Sequence, residues 1–247
     1  GGRGAAVMLI LAVDATGGAA SCALAQEDVL LAESYLNIGY THSETLLPLS
    51  EGMLHTARRT MEQVDRLAVT VGPGSFTGIR IGLATVKGLA FARGIPCVPV
   101  SALEAMAVLC PPVEGVLCPA MDARRSQVYN ALFAWQEGAL RRLTPDRALS
   151  VQELACELEE RGLPVWLTGD GALLCAGELR QRGVCVRLAP EHMRCQRALG
   201  AALLAREAEP VDAQQIKPVY LRLPQAERER LERGEVAFHP AARDILL

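Results

Sequence analysis

A chain of 247 residues is long enough to bury a sizeable core, and because 50% of it is apolar but only 4% aromatic, that core must be built from Ala, Leu and Val. The formal net charge is −3 with Lys and Arg scattered, which excludes a global basic field able to draw in nucleic acid unaided. No uninterrupted apolar run reaches the roughly 18 residues of a membrane-spanning helix.

The eight cysteines (Cys22, Cys97, Cys110, Cys118, Cys156, Cys175, Cys185 and Cys195) form no C-x-x-C and sit mostly in apolar runs. They read as small buried residues of a reducing, cytoplasmic compartment. Gly1 to Val7 lacks the apolar centre and cleavage pattern of a signal peptide, and is taken for a cloning remnant or an extended start, with Met8 the natural beginning. Leu9 to Val13 then predicts a buried strand ending at Asp14. Ser21–Gln26 and Val29–Tyr35 flank the polar pair Glu27-Asp28 as a hairpin. Thr41 or Ser43 caps a helix, Ser43–Ala57, whose apolar set is Leu46, Leu47, Leu49, Met53 and Leu54, with Pro48 as a bend near its first turns. Leu67–Val71 is a second buried strand, followed by a glycine-rich turn and a helix, Thr77–Arg93. Cys97–Val100 forms a strand and Ala102–Leu109 a short helix, before Pro111-Pro112 breaks the chain.

Beyond that break the pattern restarts. Leu117–Met121 ends at Asp122 as the first strand ended at Asp14, and Asp122-Ala123 is followed by Ala131-Leu132 at the offset that separates Asp14-Ala15 from Ala23-Leu24. A polar break follows in each half, Glu27-Asp28 in one and Gln136-Glu137-Gly138 in the other, and then a third strand. Val165–Thr168 leads into Gly169-Asp170-Gly171 much as Leu67–Val71 leads into Gly72-Pro73-Gly74. Helices over Val151–Arg161, Ala172–Gln181 and Cys195–Arg206 complete the second half. We expect a duplicated α/β architecture with lobes at 8–110 and 113–222 and a charged tail at 223–247, in which Gln225–Arg233 is a solvated helical run.

The segment Gly72-Pro-Gly-Ser-Phe-Thr-Gly-Ile-Arg-Ile-Gly82 is the most informative stretch. A glycine-rich turn entering a helix offers free N–H groups to an anion, but no glycine is followed by the Lys-[Ser/Thr] of a P-loop, and Thr77 stands where G-x-G-x-x-G needs glycine. A tight turn, an anion contact and a surface presented to another protein all remain open on that segment. The helix after it carries only Arg80 and Lys87 as charges, so it must be covered on several sides. Gly78, Gly82, Ala84, Gly88 and Ala92 predict a small-residue stripe, and the expected partner-contact set is Leu46, Leu47, Met53, Leu54, Thr77, Arg80, Ile81, Gly82, Ala84, Thr85, Gly88 and Ala92. On that reading Gly82→Leu or Gly88→Leu abolishes pairing and leaves the monomer folded. Asp14, Asp122, Gly169 and Gly171 are weak candidates for a metal or nucleotide. The four histidines form no zinc-binding spacing, and no serine or cysteine has an activating partner in sequence, so no catalytic residue is assigned.

Asp14-Ala-Thr16, the run from Gly72 to Ala90, Asp122-Ala-Arg-Arg-Ser-Gln-Val-Tyr129 and Pro218-Val-Tyr-Leu-Arg222 together resemble the bacterial TsaB (YeaZ) family, over nearly all of the chain from Met8 to Arg222. The resemblance implies an actin/Hsp70/sugar-kinase-like fold of two duplicated lobes, each a mixed sheet with helices. It also implies a non-catalytic role in forming N6-threonylcarbamoyladenosine beside the tRNA anticodon. Its partners would be a TsaD-like catalytic subunit, which holds a metal through histidines, and a TsaE-like ATPase. The complex would use ATP and carry the tRNA, with no membrane involved, and the chain would form a homodimer when alone. The contact helices carried over are Ser43–Ala57 and Thr77–Arg93. Nucleotide-binding members of the fold carry D-x-G in the first loop, whereas Thr16 follows Asp14-Ala15 here, and its β-carbon crowds a phosphate; the TsaD histidine pair is missing as well. A small-molecule kinase or ATPase using Asp14, Asp122 and Gly169-Asp-Gly171 is the alternative, and a peptidase would lack its zinc motif.

Overall fold

A computed structural model describes residues 7–39 and 41–222. In chain order the elements are β1 (Leu9–Asp14), β2 (Ala20–Gln26), β3 (Val29–Leu36), α1 (His42–Thr56), β4 (Arg66–Gly72), α2 (Phe76–Phe91), β5 (Cys97–Ser101) and α3 (Ala102–Val108). The second half supplies β6 (Val116–Asp122), β7 (Gln127–Asn130), β8 (Phe133–Gln136), β9 (Ala139–Arg142), β10 (Arg147–Ser150), α4 (Val151–Arg161), β11 (Val165–Thr168), α5 (Ala172–Gln181), β12 (Val186–Leu188) and α6 (Ala198–Ala205). The segment 1–6 and the expected charged tail, 223–247 with its helical run Gln225–Arg233, lie outside the described residues.

The repeat seen in sequence is a repeat of topology. The first sheet runs β3-β2-β1-β4-β5 and the second β10-β7-β6-β11-β12. In both, the first two pairings are antiparallel and the last two parallel. The central strands β1, β4 and β6 are apolar without alternation because helices cover both faces of each sheet, or a helix on one face and the facing layer on the other. One detail differs from expectation. The turn Gln136-Glu137-Gly138 does not lead to the counterpart of β3; it closes an extra hairpin, β8–β9, and the counterpart is β10. The strand is interrupted at Ala131-Leu132 while keeping one register on β6 (Ala120↔Asn130, Leu117↔Phe133); its outer neighbour changes there, β10 on β7 and β9 on β8.

Five layers result. Helices α1 and α2 cover one face of the first sheet through Leu46, Met53, Leu54, Ile79, Leu83 and Val86. Its other face (Ile10, Ala12, Ala23, Ala68, Val98) receives α6 through Ala198, Ala201, Ala202 and Ala205. Helix α3 lies beside α6 and turns Leu103 and Met106 toward Leu117, Met121 and Phe133 of the second sheet. Helices α4 and α5 close the far side. Helix α6 starts later than predicted, at Ala198, because Arg197 is extended (φ −139°) and Ala198 N–H donates to Ser21 Oγ at 3.0 Å. Pro48 sits inside α1, which runs on past it.

All eight cysteines are unpaired: five are buried, Cys195 is half-buried, and Cys156 and Cys185 are exposed. Burial pushes the Cys22, Cys97 and Cys110 thiols up to about 11 and Cys175 up to about 12, with Cys118 raised further. The unfolded chain releases these protons near pH 9, so the native state holds protons that the unfolded state has lost. The stabilisation is complete below pH 9 and is lost between about pH 9 and 11. We therefore expect the denaturant midpoint to fall between pH 8.5 and 10.5, by an amount worth about 2 kcal/mol or more. A native thiol titration at pH 8 should modify Cys156, Cys185 and, more slowly, Cys195; rapid modification of the other five would contradict the packing.

Candidate functional site

The loops after β1, β4 and β6, joined by Gly169–Gly171 after β11, meet between the two sheets around a cleft of about 420 Å³. Its lining includes Thr16, Gly17, Ser75, Asp122, Arg124 and Asp170, and also Tyr220 and Arg222 from the end of the described chain. All four sequence landmarks thus converge on one place.

The first loop is tied inward. Asp14 is buried, and its Oδ1 accepts from Thr16 N–H at 2.8 Å and from Thr16 Oγ1–H at 2.7 Å. Desolvation raises the Asp14 pKa, opposed by the two Thr16 donors. Its Oδ2 has no aligned partner, and neither has the neighbouring buried Thr70 hydroxyl. Thr16 is itself buried, with its N–H and hydroxyl both donating to Asp14, while its carbonyl accepts from Ser75 N–H at 2.8 Å. Gly74 has φ +153°, and a side chain there would run into the Thr16 carbonyl.

The second-half counterpart is more open. Asp122 Oδ1 accepts from Arg124 N–H at 2.7 Å, and Asp170 Oδ1 accepts from Asp122 N–H at 3.0 Å. Asp170 keeps one side in solvent, but the desolvation of its carboxyl, and next the Asp122 charge, raise its pKa. Gly169 (φ +96°) and Gly171 pack their α-carbons against the backbone of Ala120 and Met121, which leaves no room for side chains. Asp14 and Asp122 are therefore equivalent by topology and are not brought together on one ligand-sized point: one is buried beneath its loop, the other lines the cleft. Among the described residues no group of three His, Cys, Asp or Glu side chains could hold a metal ion.

Arg124, Arg125 and Ser126 follow with φ of 65°, 55° and 56°, a turn of left-handed backbone costing about 1–2 kcal/mol per residue. It is clamped: Gln127 N–H donates to Arg124 O at 3.2 Å, Val151 N–H to Ser126 O at 3.0 Å, and the Arg222 guanidinium to Ala123 O. Arg222 belongs to a strap that is also fixed to the first sheet, where Val219 N–H donates to Val71 O at 2.8 Å. Between them Tyr220 packs on Phe76 with ring centroids 4.6 Å apart, and Arg80 lies 3.8 Å over the Phe76 ring while donating to the Tyr220 hydroxyl at 3.0 Å.

The predicted contact set divides. Leu46, Met53 and Leu54 are buried beneath α1, and Gly82 faces Ala15 and Val69 inside the monomer. These four cannot meet a partner. The small-residue stripe was drawn on one side, but two residues on a helix turn through about 200°, so Gly78 and Gly82 point inward while Ala84, Gly88 and Ala92 point out. Leu47, Thr77 and Arg80 are exposed as well, and Ile81 and Thr85 are half-buried. Sequence reasoning missed Phe91, which is 84% exposed and follows Ala84 and Gly88 at helical spacing. It also left Tyr220 and Arg222 without a role, since only tertiary structure brings them to Phe76 and Ala123.

Two sheets of identical strand order around an interlobe cleft define a duplicated protein of the actin/Hsp70/sugar-kinase-like class. The sequence profile of the TsaD family, tRNA N6-adenosine threonylcarbamoyltransferase, matches residues 38–163. A Bacillus subtilis protein named tRNA threonylcarbamoyladenosine biosynthesis protein TsaB is 32% identical over 229 residues, covering 91% of this chain and 99% of the relative. The Escherichia coli protein of the same name is 31% identical over 65% of this chain and 70% of its own length. The solved structure of YeaZ from Pseudomonas aeruginosa superposes with a TM-score of 0.72 at 28% identity, covering 86% of this chain and 99% of that one. The chain belongs to the TsaB family.

Proposed function

We propose that this chain is a non-catalytic partner subunit for forming N6-threonylcarbamoyladenosine in tRNA beside the anticodon, acting in the cytoplasm with a TsaD-like transferase and a TsaE-like ATPase. The observation that carries this reading is the exposed apolar surface of two neighbouring helices, Leu47 on α1 with Ala84, Gly88 and Phe91 on α2, on elements whose other faces are already used in the core. The names of the B. subtilis and E. coli relatives supply the pathway. The same face serves for pairing with a second copy when the transferase is missing, and the complex supplies the ATP site and the tRNA contacts. Support for the non-catalytic part comes from the first loop, whose Thr16 donors are spent on Asp14. The test is transfer of threonylcarbamoyl to tRNA with the chain alone, the transferase and ATPase alone, and all three. Activity only in the full mixture is expected. Robust activity of the chain alone, or full activity without it, overturns the proposal.

A further inference from the structure

The first loop reaches both helices assigned to the partner, while Gly17 also packs against the buried Gln196 side chain. The Gly17 carbonyl lies 3.0 Å from Nε2 of His42, the first residue of α1. The Thr16 carbonyl accepts from Ser75 N–H, the N-cap of α2. The Ala15 carbonyl fills the place where a Gly78 side chain would stand, and the Ala15 β-carbon packs 3.6 Å from where a Gly82 side chain would begin. Three successive residues thus fix the N-terminal ends of both helices, and Asp14 fixes the loop's shape by taking the Thr16 N–H and hydroxyl on one oxygen.

We propose that Asp14 is a positioning residue, whose carboxyl oxygen shapes the Ala15–Gly17 loop into a platform that sets α1 and α2 in register for the partner, and that it binds neither metal nor nucleotide. The inference rests on the reading that α1 and α2 carry the partner face. What Asp14 needs for this task is an acceptor at Oδ1, not a charge. The Thr70 hydroxyl stands beside the carboxyl and favours its charged form, although neither it nor Oδ2 makes an aligned hydrogen bond. An amide nitrogen in the Oδ2 position can donate to the oxygen of that hydroxyl, which serves as acceptor as readily as donor.

Asp14→Asn and Asp14→Ala separate the two roles. Asn keeps the acceptor and deletes the charge that a metal or a nucleotide-bound cation requires; Ala deletes both. Affinity for the TsaD-like subunit and, in the isolated chain, amide exchange of residues 42–46 and 75–79 are the readouts. Asp14→Asn is expected to pair within about threefold of the unmodified chain and to keep the exchange pattern. Asp14→Ala is expected to pair at least tenfold more weakly and to exchange faster in both segments. Thr16→Val, which keeps the shape and deletes one donor, gives three- to tenfold weaker pairing and serves should the alanine variant fail to fold. Asn behaving like Ala in the exchange experiment overturns the proposal, as does an alanine or valine variant that exchanges and pairs like the unmodified chain. Failure of the unmodified chain to pair sinks the partner reading instead, and leaves the exchange experiment to decide the platform.

Discussion

Gly88→Arg is expected to weaken pairing with the TsaD-like subunit by at least about a hundredfold, roughly 3 kcal/mol, and to leave the monomer as stable as before or slightly more so. Gly88 is exposed, and nothing stands within 4 Å of where its β-carbon would be, so the monomer accepts the new side chain. Replacing glycine inside a helix also gains about 0.5–1 kcal/mol of propensity. At a face where a partner backbone must approach closely, the same side chain holds the helices apart. Phe91, one turn further on and nearly bare, offers the companion loss of contact. Gly82→Leu gives the opposite pattern: Ala15 and Val69 already stand at 3.6 and 3.8 Å from the site of its β-carbon, so the added atoms overpack the core and lower Tm. Light scattering of the mixed proteins beside thermal melts separates the two. Undiminished pairing by Gly88→Arg would show that the partner binds elsewhere.

Gly200→Val is expected to be severely destabilising, costing about 3 kcal/mol or more. Gly200 lies in α6 at the crossing with α3, where a β-carbon would collide with the backbone of Ala105. Backbone cannot swing aside as a side chain can, so α6 would have to lift from the first sheet and uncover Ile10, Ala12, Ala23 and Val98. At roughly 2–4 °C per kcal/mol for a chain of this size, Tm should fall by about 6–12 °C. An unchanged melt would mean that the two helices are not packed this closely.

The strand–helix order was legible because its signals are local. Runs such as Leu67–Val71 and the stop at Pro111-Pro112 need no knowledge of the rest of the chain, and the matching ends at Asp14 and Asp122 announced the duplication. The turn at Gln136-Glu137-Gly138 was legible, but that β10 and not β9 is the counterpart of β3 was not, because it depends on which later strand pairs with β7. The same limit governs the candidate site. An apolar helix such as α2 says that several faces are covered, but which glycine is covered by its own sheet and which awaits a partner depends on where Ala15 and Val69 lie. Tyr220 and Arg222 could be read only as a motif, since their meaning is contact with Phe76 and Ala123, more than 90 positions away.

The return of α6 to the first sheet has a consequence for the order in which the molecule can be completed. A nascent chain leaving the ribosome has strands β1 to β5 long before residues 198–205 emerge, and during that interval one side of its first sheet has no permanent cover. The opening half must therefore wait, protected by transient contacts or by chaperones, until α6 is synthesised.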